Sequence, residues 1–154
     1  MALIAYAHIF NQKNMRKKIT GIVFFLVAAL SFCACSNEDD IGEIFTGHDW
    51  TLGFIQEGND KSTPMDGDYT IVFNSSTFTL TTPANATITG NWQADGESRS
   101  FRCSNIGTTG NINSDNTANK MKQLLQNATS YAGDANWLQI IVQTGNVFMQ
   151  FHNK

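Results

Sequence analysis

The stretch MKQLLQNATSYAGDANWLQIIVQTGNVFMQF, Met121 to Phe151, changes its period halfway along. Ala118, Met121, Leu124, Leu125 and Ala128 recur at spacings of three and four, which places them on one face of a helix of about four turns. Ser114 or Asp115 can cap its start by accepting from free backbone amides, and Gly133 can help end the exit turn. Beyond that point the period is two. Leu138, Ile140 and Val142 share one face of "NWLQIIVQ", so Trp137 projects from the opposite face with Ile141. "NVFMQFH" then returns across Thr144 and Gly145, a hairpin of the Gly-Asn type.

Working outward, the upstream chain keeps to the shorter period. "HDWTLGFI" sets Trp50, Leu52 and Phe54 on one side and Asp49, Thr51 and Gly53 on the other, the alternation of a half-buried strand. "DYTIVF" and "TFTLT" contribute Tyr69, Ile71 and Phe73, then Phe78 and Leu80, and Asn74 to Ser76 between them read as a hairpin turn. "ATITGNWQ" adds Ile88, Gly90 and Trp92, and after the turn residues Asp95 and Gly96 "SRSFRCS" puts Phe101 and Cys103 on one face. The expected fold is α+β, mainly β: an antiparallel sheet or partial barrel of about seven strands. One helix before the C-terminal hairpin covers an open side.

This order resembles the META-domain family, small secreted or lipoprotein domains of the HslJ-like group. The resemblance runs from about Phe45 to Phe151 and rests on the tryptophan strand "GHDWTL", the mid-chain hairpin and the helix-to-hairpin piece quoted first. It implies a fold and an envelope setting but no functional residue, because the family's Gly-Cys-Asn segment and later cysteine have no counterpart here. Gly47 followed by Trp50 also resembles the first strand of lipocalin-like barrels. That alternative implies eight strands and an internal ligand cavity.

The start of the chain bears on location. Arg16, Lys17 and Lys18 precede an apolar run from Ile19 to Phe32, shorter than the roughly 20 residues that span a bilayer and of a length suited to a signal peptide. Met15 is read as the true start, with residues 1–14 either upstream of it or an extended n-region. Phe32, Cys33, Ala34 and Cys35 resemble a bacterial lipobox, with Phe32 where leucine is usual and Cys33 where a small residue is usual. That resemblance implies lipid attachment at Cys35 after cleavage behind Ala34. Ser36, Asn37, Glu38, Asp39 and Asp40 resemble the acidic export signal of Bacteroides-type surface lipoproteins, or form a plain solvated tether. Residues 1–34 are thus read as leader, 35–46 as a lipidated acidic tether and 47–154 as a single domain.

The expected location is the outer membrane, on its external face or, alternatively, facing the periplasm. Two or three acyl chains make such attachment effectively permanent, at about 0.8 kcal/mol per buried methylene. The membrane is therefore a partner through the anchor alone.

Charge and motifs narrow the chemistry. The chain carries 10 Lys and Arg against 13 Asp and Glu, and loss of the leader removes four of the bases, leaving a formal charge of about −7. Such a balance excludes nucleic acid, which needs a basic face. Cys103 is left without a disulfide partner inside the domain and reads as an inert buried thiol. His48 and His152 are far apart in sequence, and Glu57, Asp60, Asp66 and Asp68 lack the spacing of an EF-hand, so no metal and no cofactor is expected. There is no Gly-x-Ser-x-Gly elbow, no Ser-x-x-Lys signature, and "NIGTTGNINSDN" lacks the lysine of a phosphate loop.

The expectation is a non-catalytic binding or interaction module of the cell envelope and not an enzyme, with a structural or stress-related envelope component as the alternative and a hydrolase as the less favoured reading. Trp50, Trp92 and Trp137 accompany many amide and hydroxyl side chains, a mixture that stacks on a glycan or on an envelope protein. Trp50 and Trp92 alternate with core residues and should be buried, which leaves Trp137 as the candidate ligand-binding residue.

Overall fold

A computed structural model describes residues 40–142 and 146–154, all within one contact unit, Asn37–Lys154. Cys35, the leader and the centre of the last hairpin turn lie outside the described residues. The chain opens with a short helix α1 (Asp40–Phe45) and continues as β1 (Asp49–Glu57), β2 (Asp60–Ser62), β3 (Thr70–Phe73), β4 (Thr77–Thr81), β5 (Thr87–Asp95) and β6 (Ser100–Thr109). A second helix α2 (Asn116–Asn127) precedes β7 (Ser130–Gly133), β8 (Trp137–Val142) and β9 (Val147–Asn153). The fold is mainly β, antiparallel throughout the named strands, and the described residues hold nine strands where the sequence pattern indicates about seven.

The two additional strands are short and carry little local signal. β2 is exposed at all three positions and pairs only with the end of β1, Ile55 to Glu57. β7 is four residues ending in glycine and exists through its ladder with β8, from Ser130↔Ile141 to Gly133↔Leu138. Gly133 therefore ends a strand and not the helix exit. A Cβ there would lie 2.4 Å from the Trp137 carbonyl oxygen, so the turn from β7 to β8 admits glycine alone without movement of the backbone.

The strands follow one another around a ring. β1 pairs with β3 through Asp49 to Thr51 and, on its other edge, with β9 from Trp50↔Asn153 to Glu57↔Val147. Eight strands thus form a closed wall, with β2 as a flap on β1. Closure removes the free edges that make open sheets prone to association. The shortest ladder of the wall joins β6 and β7, where Ser100 pairs with Ser130 and the Phe101 and Tyr131 amides donate to the Thr129 and Arg99 carbonyls at 3.0 and 3.1 Å. α2 packs mainly against β6, and Lys122 Nζ donates to Thr108 Oγ1 of that strand at 2.9 Å. The buried face of the helix is the one its amphipathic spacing indicates.

Inward positions alternate as the period of two requires: Ile71 and Phe73, Phe78 and Leu80, Ile88 and Trp92, Leu138 and Ile140, Met149 and Phe151 are all buried. β1 departs from strict alternation. Its register with β9 shifts between Leu52 and Phe54, so Ile55 rather than Phe54 joins Trp50 and Leu52 in the core. Such a bulge at Gly53 re-aims every later side chain of the strand. Gly90 serves a different need: a Cβ there would meet the Phe78 ring at 2.7 Å and the Ser104 carbonyl oxygen at 2.9 Å, so β5 lets an aromatic ring lie flat on its backbone.

Both ends of the barrel are closed by helices. α2 buries Ala118, Met121, Leu124 and Leu125. Asp115 Oδ1 accepts from the Ala118 amide at 2.8 Å and from the Tyr69 hydroxyl at 2.8 Å, so one carboxylate both caps α2 and ties it to β3. Lys120 pairs with Glu57 on β1. At the opposite end, where β1 begins and β9 finishes, α1 lowers Ile44 and Phe45 into the core. The tether read through residue 46 therefore stops short: these two side chains are domain core, because the mouth of the barrel would otherwise expose its aromatic rings to water.

Candidate functional site

The inner and outer faces of the wall differ in chemistry. Trp50 is fully buried and Trp92 is 6% exposed, its indole N–H donating to the Asn74 carbonyl at 2.7 Å, whereas Trp137 is 38% exposed. Trp137 stands at the first position of β8, where the preceding turn is built by hydrogen bonds. Asp134 Oδ1 accepts from the amides of Asn136 at 2.7 Å and Trp137 at 3.2 Å. Those amide bonds hold the Asp134 carboxyl below its ordinary range. Asn153 Nδ2 donates to the Ala135 carbonyl at 3.0 Å and to His48 Nδ1 at 2.9 Å. The indole is thus presented from a pinned turn, not from a free loop tip.

Around it the outer face of β8, β9 and β1 alternates rings with amides. Trp137 lies opposite His152, and Gln139 lies opposite Gln150 with Nε2 donating to Oε1 at 2.7 Å. Ile141 lies opposite Phe148. Phe54, turned outward by the bulge, meets Phe148 edge-on at 5.9 Å, and Lys61 Nζ sits 3.8 Å from the Phe54 centroid. Sequence reading missed Phe54, because the alternation of β1 assigns it to the core. The signal that could have found it is Gly53, a mid-strand glycine of the sort that marks bulges. Arrays of this composition suit stacking with neutral hydrogen bonding and carry little charge.

The other residues singled out are placed apart. Among the described residues no three of His, Cys, Asp and Glu are grouped to hold a metal ion. Glu57 at the end of β1 pairs with Lys120, and Asp68 between β2 and β3 with Lys154 at 2.9 Å, so two of these acids brace the fold. Cys103 is half-buried on β6, and burial pushes its thiol up to about 12, which keeps it protonated and poorly nucleophilic at neutral pH. A groove beside β5 and β6 mixes polar side chains, among them Asn91, Gln93 and Arg102, with the apolar Ile41, Trp92 and Ala128, and Arg102 Nε donates to Gln93 Oε1 at 2.8 Å.

These features define a closed antiparallel β-barrel with a packed aromatic interior and a ring-and-amide outer face. Residues 36–153 match the family described as a domain of unknown function, DUF4847, and the chain belongs to that family. Among solved structures it is similar to the crystal structure of a DUF4847 family protein from Bacteroides vulgatus, with a TM-score of 0.58 and 24% identity, covering 73% of this chain and 96% of that one. That likeness concerns the fold. No curated protein matches the sequence.

Proposed function

We propose that this protein is a lipid-anchored outer-membrane component of the cell envelope, held through Cys35, whose barrel acts as a non-catalytic binding or interaction module. The partner class is a glycan or an envelope protein, met on the outer face of β8, β9 and β1. The observation that carries the reading is Trp137: the other two tryptophans are consumed by the core, while this indole is held out to solvent from a pinned turn beside paired amides. Kinship with META-type envelope domains, suggested by the helix-then-hairpin order, belongs to the same proposal. So does export to the external face.

A photo-crosslinking residue in place of Trp137, in intact cells, tests the face. Covalent adducts at this position and not at the outward Thr89 control support it, and equal or absent labelling at both overturns it. For the anchor, Cys35→Ser abolishes fatty-acyl labelling; labelling that persists overturns the lipid attachment.

A further inference from the structure

Phe45 is fully buried and its ring is ringed by others. The centroid of Trp92 lies 4.7 Å away, Tyr131 5.0 Å, Phe73 5.1 Å and Phe101 5.4 Å. Those four side chains stand on β5, β7, β3 and β6, parts of the closed wall, whereas Phe45 arrives from α1, outside it. The wall therefore builds a site for a flat ring, and the chain fills that site with a side chain of its own.

α1 is held there by Ile44 and Phe45 and by few polar ties. Six residues do not sustain a helix alone, since nucleation costs more than so few hydrogen bonds return. Its Thr46 end bonds back to Gly42, the Oγ1 at 2.6 Å, which is internal to the turn. Towards the barrel it offers the Glu43 carbonyl to His48 Nε2 at 2.7 Å and one bridge from Thr46 to Phe73. Gly47, at φ +81°, follows directly and gives the segment a pivot that other residues would strain to supply. Swinging α1 outward breaks those two polar links, exposes Ile44 and Phe45, and leaves the ladders of the eight-stranded wall paired.

We propose that the mouth of the barrel is a binding site for a planar apolar ligand, an aromatic ring system or its close equivalent, with Phe45 as a built-in occupant and α1 as the plug that a ligand displaces. The apparent affinity of such a site is reduced by the fraction of molecules with the plug out. This inference concerns the inside of the wall and stands independently of the Trp137 face.

The test uses the full chain and 5-fluoroindole, followed by its fluorine NMR signal, together with amide hydrogen exchange. One site is expected, with protection at residues 41–46 falling on ligand addition while β3 and β6 keep theirs. Phe45→Ala binds at least tenfold more tightly, whereas Phe148→Ala and Trp137→Ala, on the outside, bind as the unaltered chain does. Unchanged protection at 41–46, at ligand levels that saturate Phe45→Ala, overturns the plug and leaves only an engineered void. If Phe45→Ala does not fold, Ile44→Ala, which loosens α1 and keeps the ring, takes its place: tighter binding than the unaltered chain supports the proposal and equal or weaker binding overturns it.

Discussion

The two helices close opposite ends of one barrel by different means. α2 has a cap, a tie from Tyr69, an ion pair to Glu57 and a lysine reaching Thr108, and its buried face is aliphatic. α1 has two buried side chains, one carbonyl contact and a bridge. The first is a structural stave beside the short ladder between β6 and β7. The second is a stopper whose hold comes from the rings beneath it. Redundant polar ties make α2 part of the cooperative unit, while α1, with few polar ties, would open by itself under the proposal above.

The comparison can be broken most directly in the core. Phe45→Ala is expected to cost about 3–5 kcal/mol and Leu125→Ala about 2–5 kcal/mol, read from denaturant midpoints. The two should differ in kind: the first leaves amide protection in the strands near its original level relative to global stability, the second lowers α2 and the wall together. If both variants lose protection uniformly, the distinction between stave and stopper fails.

Smaller changes sharpen it. Asp115→Ala removes the cap of α2 and is expected to lower stability by about 0.5–2 kcal/mol, seen as a drop in melting temperature. Tyr69 carries the same link into pH. Burial, and then the neighbouring Asp115 carboxylate, raise its phenol from 10.0 to about 12. The folded state thus keeps a proton that the unfolded chain loses first. That contribution is fully present below about pH 10 and is lost as pH rises towards 12. Tyr69→Phe should flatten that alkaline decline in a pH series of unfolding curves. At the bottom of the scale, Thr46→Ala, which removes the Oγ1 bond to Gly42 and keeps the backbone bridge to Phe73, should shift stability by less than about 0.5 kcal/mol.

Particular residues show what was legible before folding. The hairpin at Asn74 to Ser76, the burial of Trp50 and Trp92, the outward aim of Trp137 and the buried stripe of α2 all follow from periods of two and 3.6 sustained over enough residues to average out exceptions. β2 and β7 were not legible, because three exposed residues and a four-residue strand ending in glycine carry no such average. α1 sits between these cases. Ile41, Ile44 and Phe45 have helical spacing, but one turn within an acidic segment reads equally well as tether. Phe54 was misassigned through a bulge that only the partner strand β9 makes visible.

By itself the sequence determined an antiparallel, mainly β domain with one amphipathic helix, since side-chain alternation is a local property that each strand states alone. Only the tertiary structure decided that β1 meets β9 to close the wall, that α1 fills its mouth, and which side of the wall each ring faces. The reason is physical: closure and plugging are stabilised by contacts between residues remote in the chain, and no short-range pattern encodes which distant partner will be found.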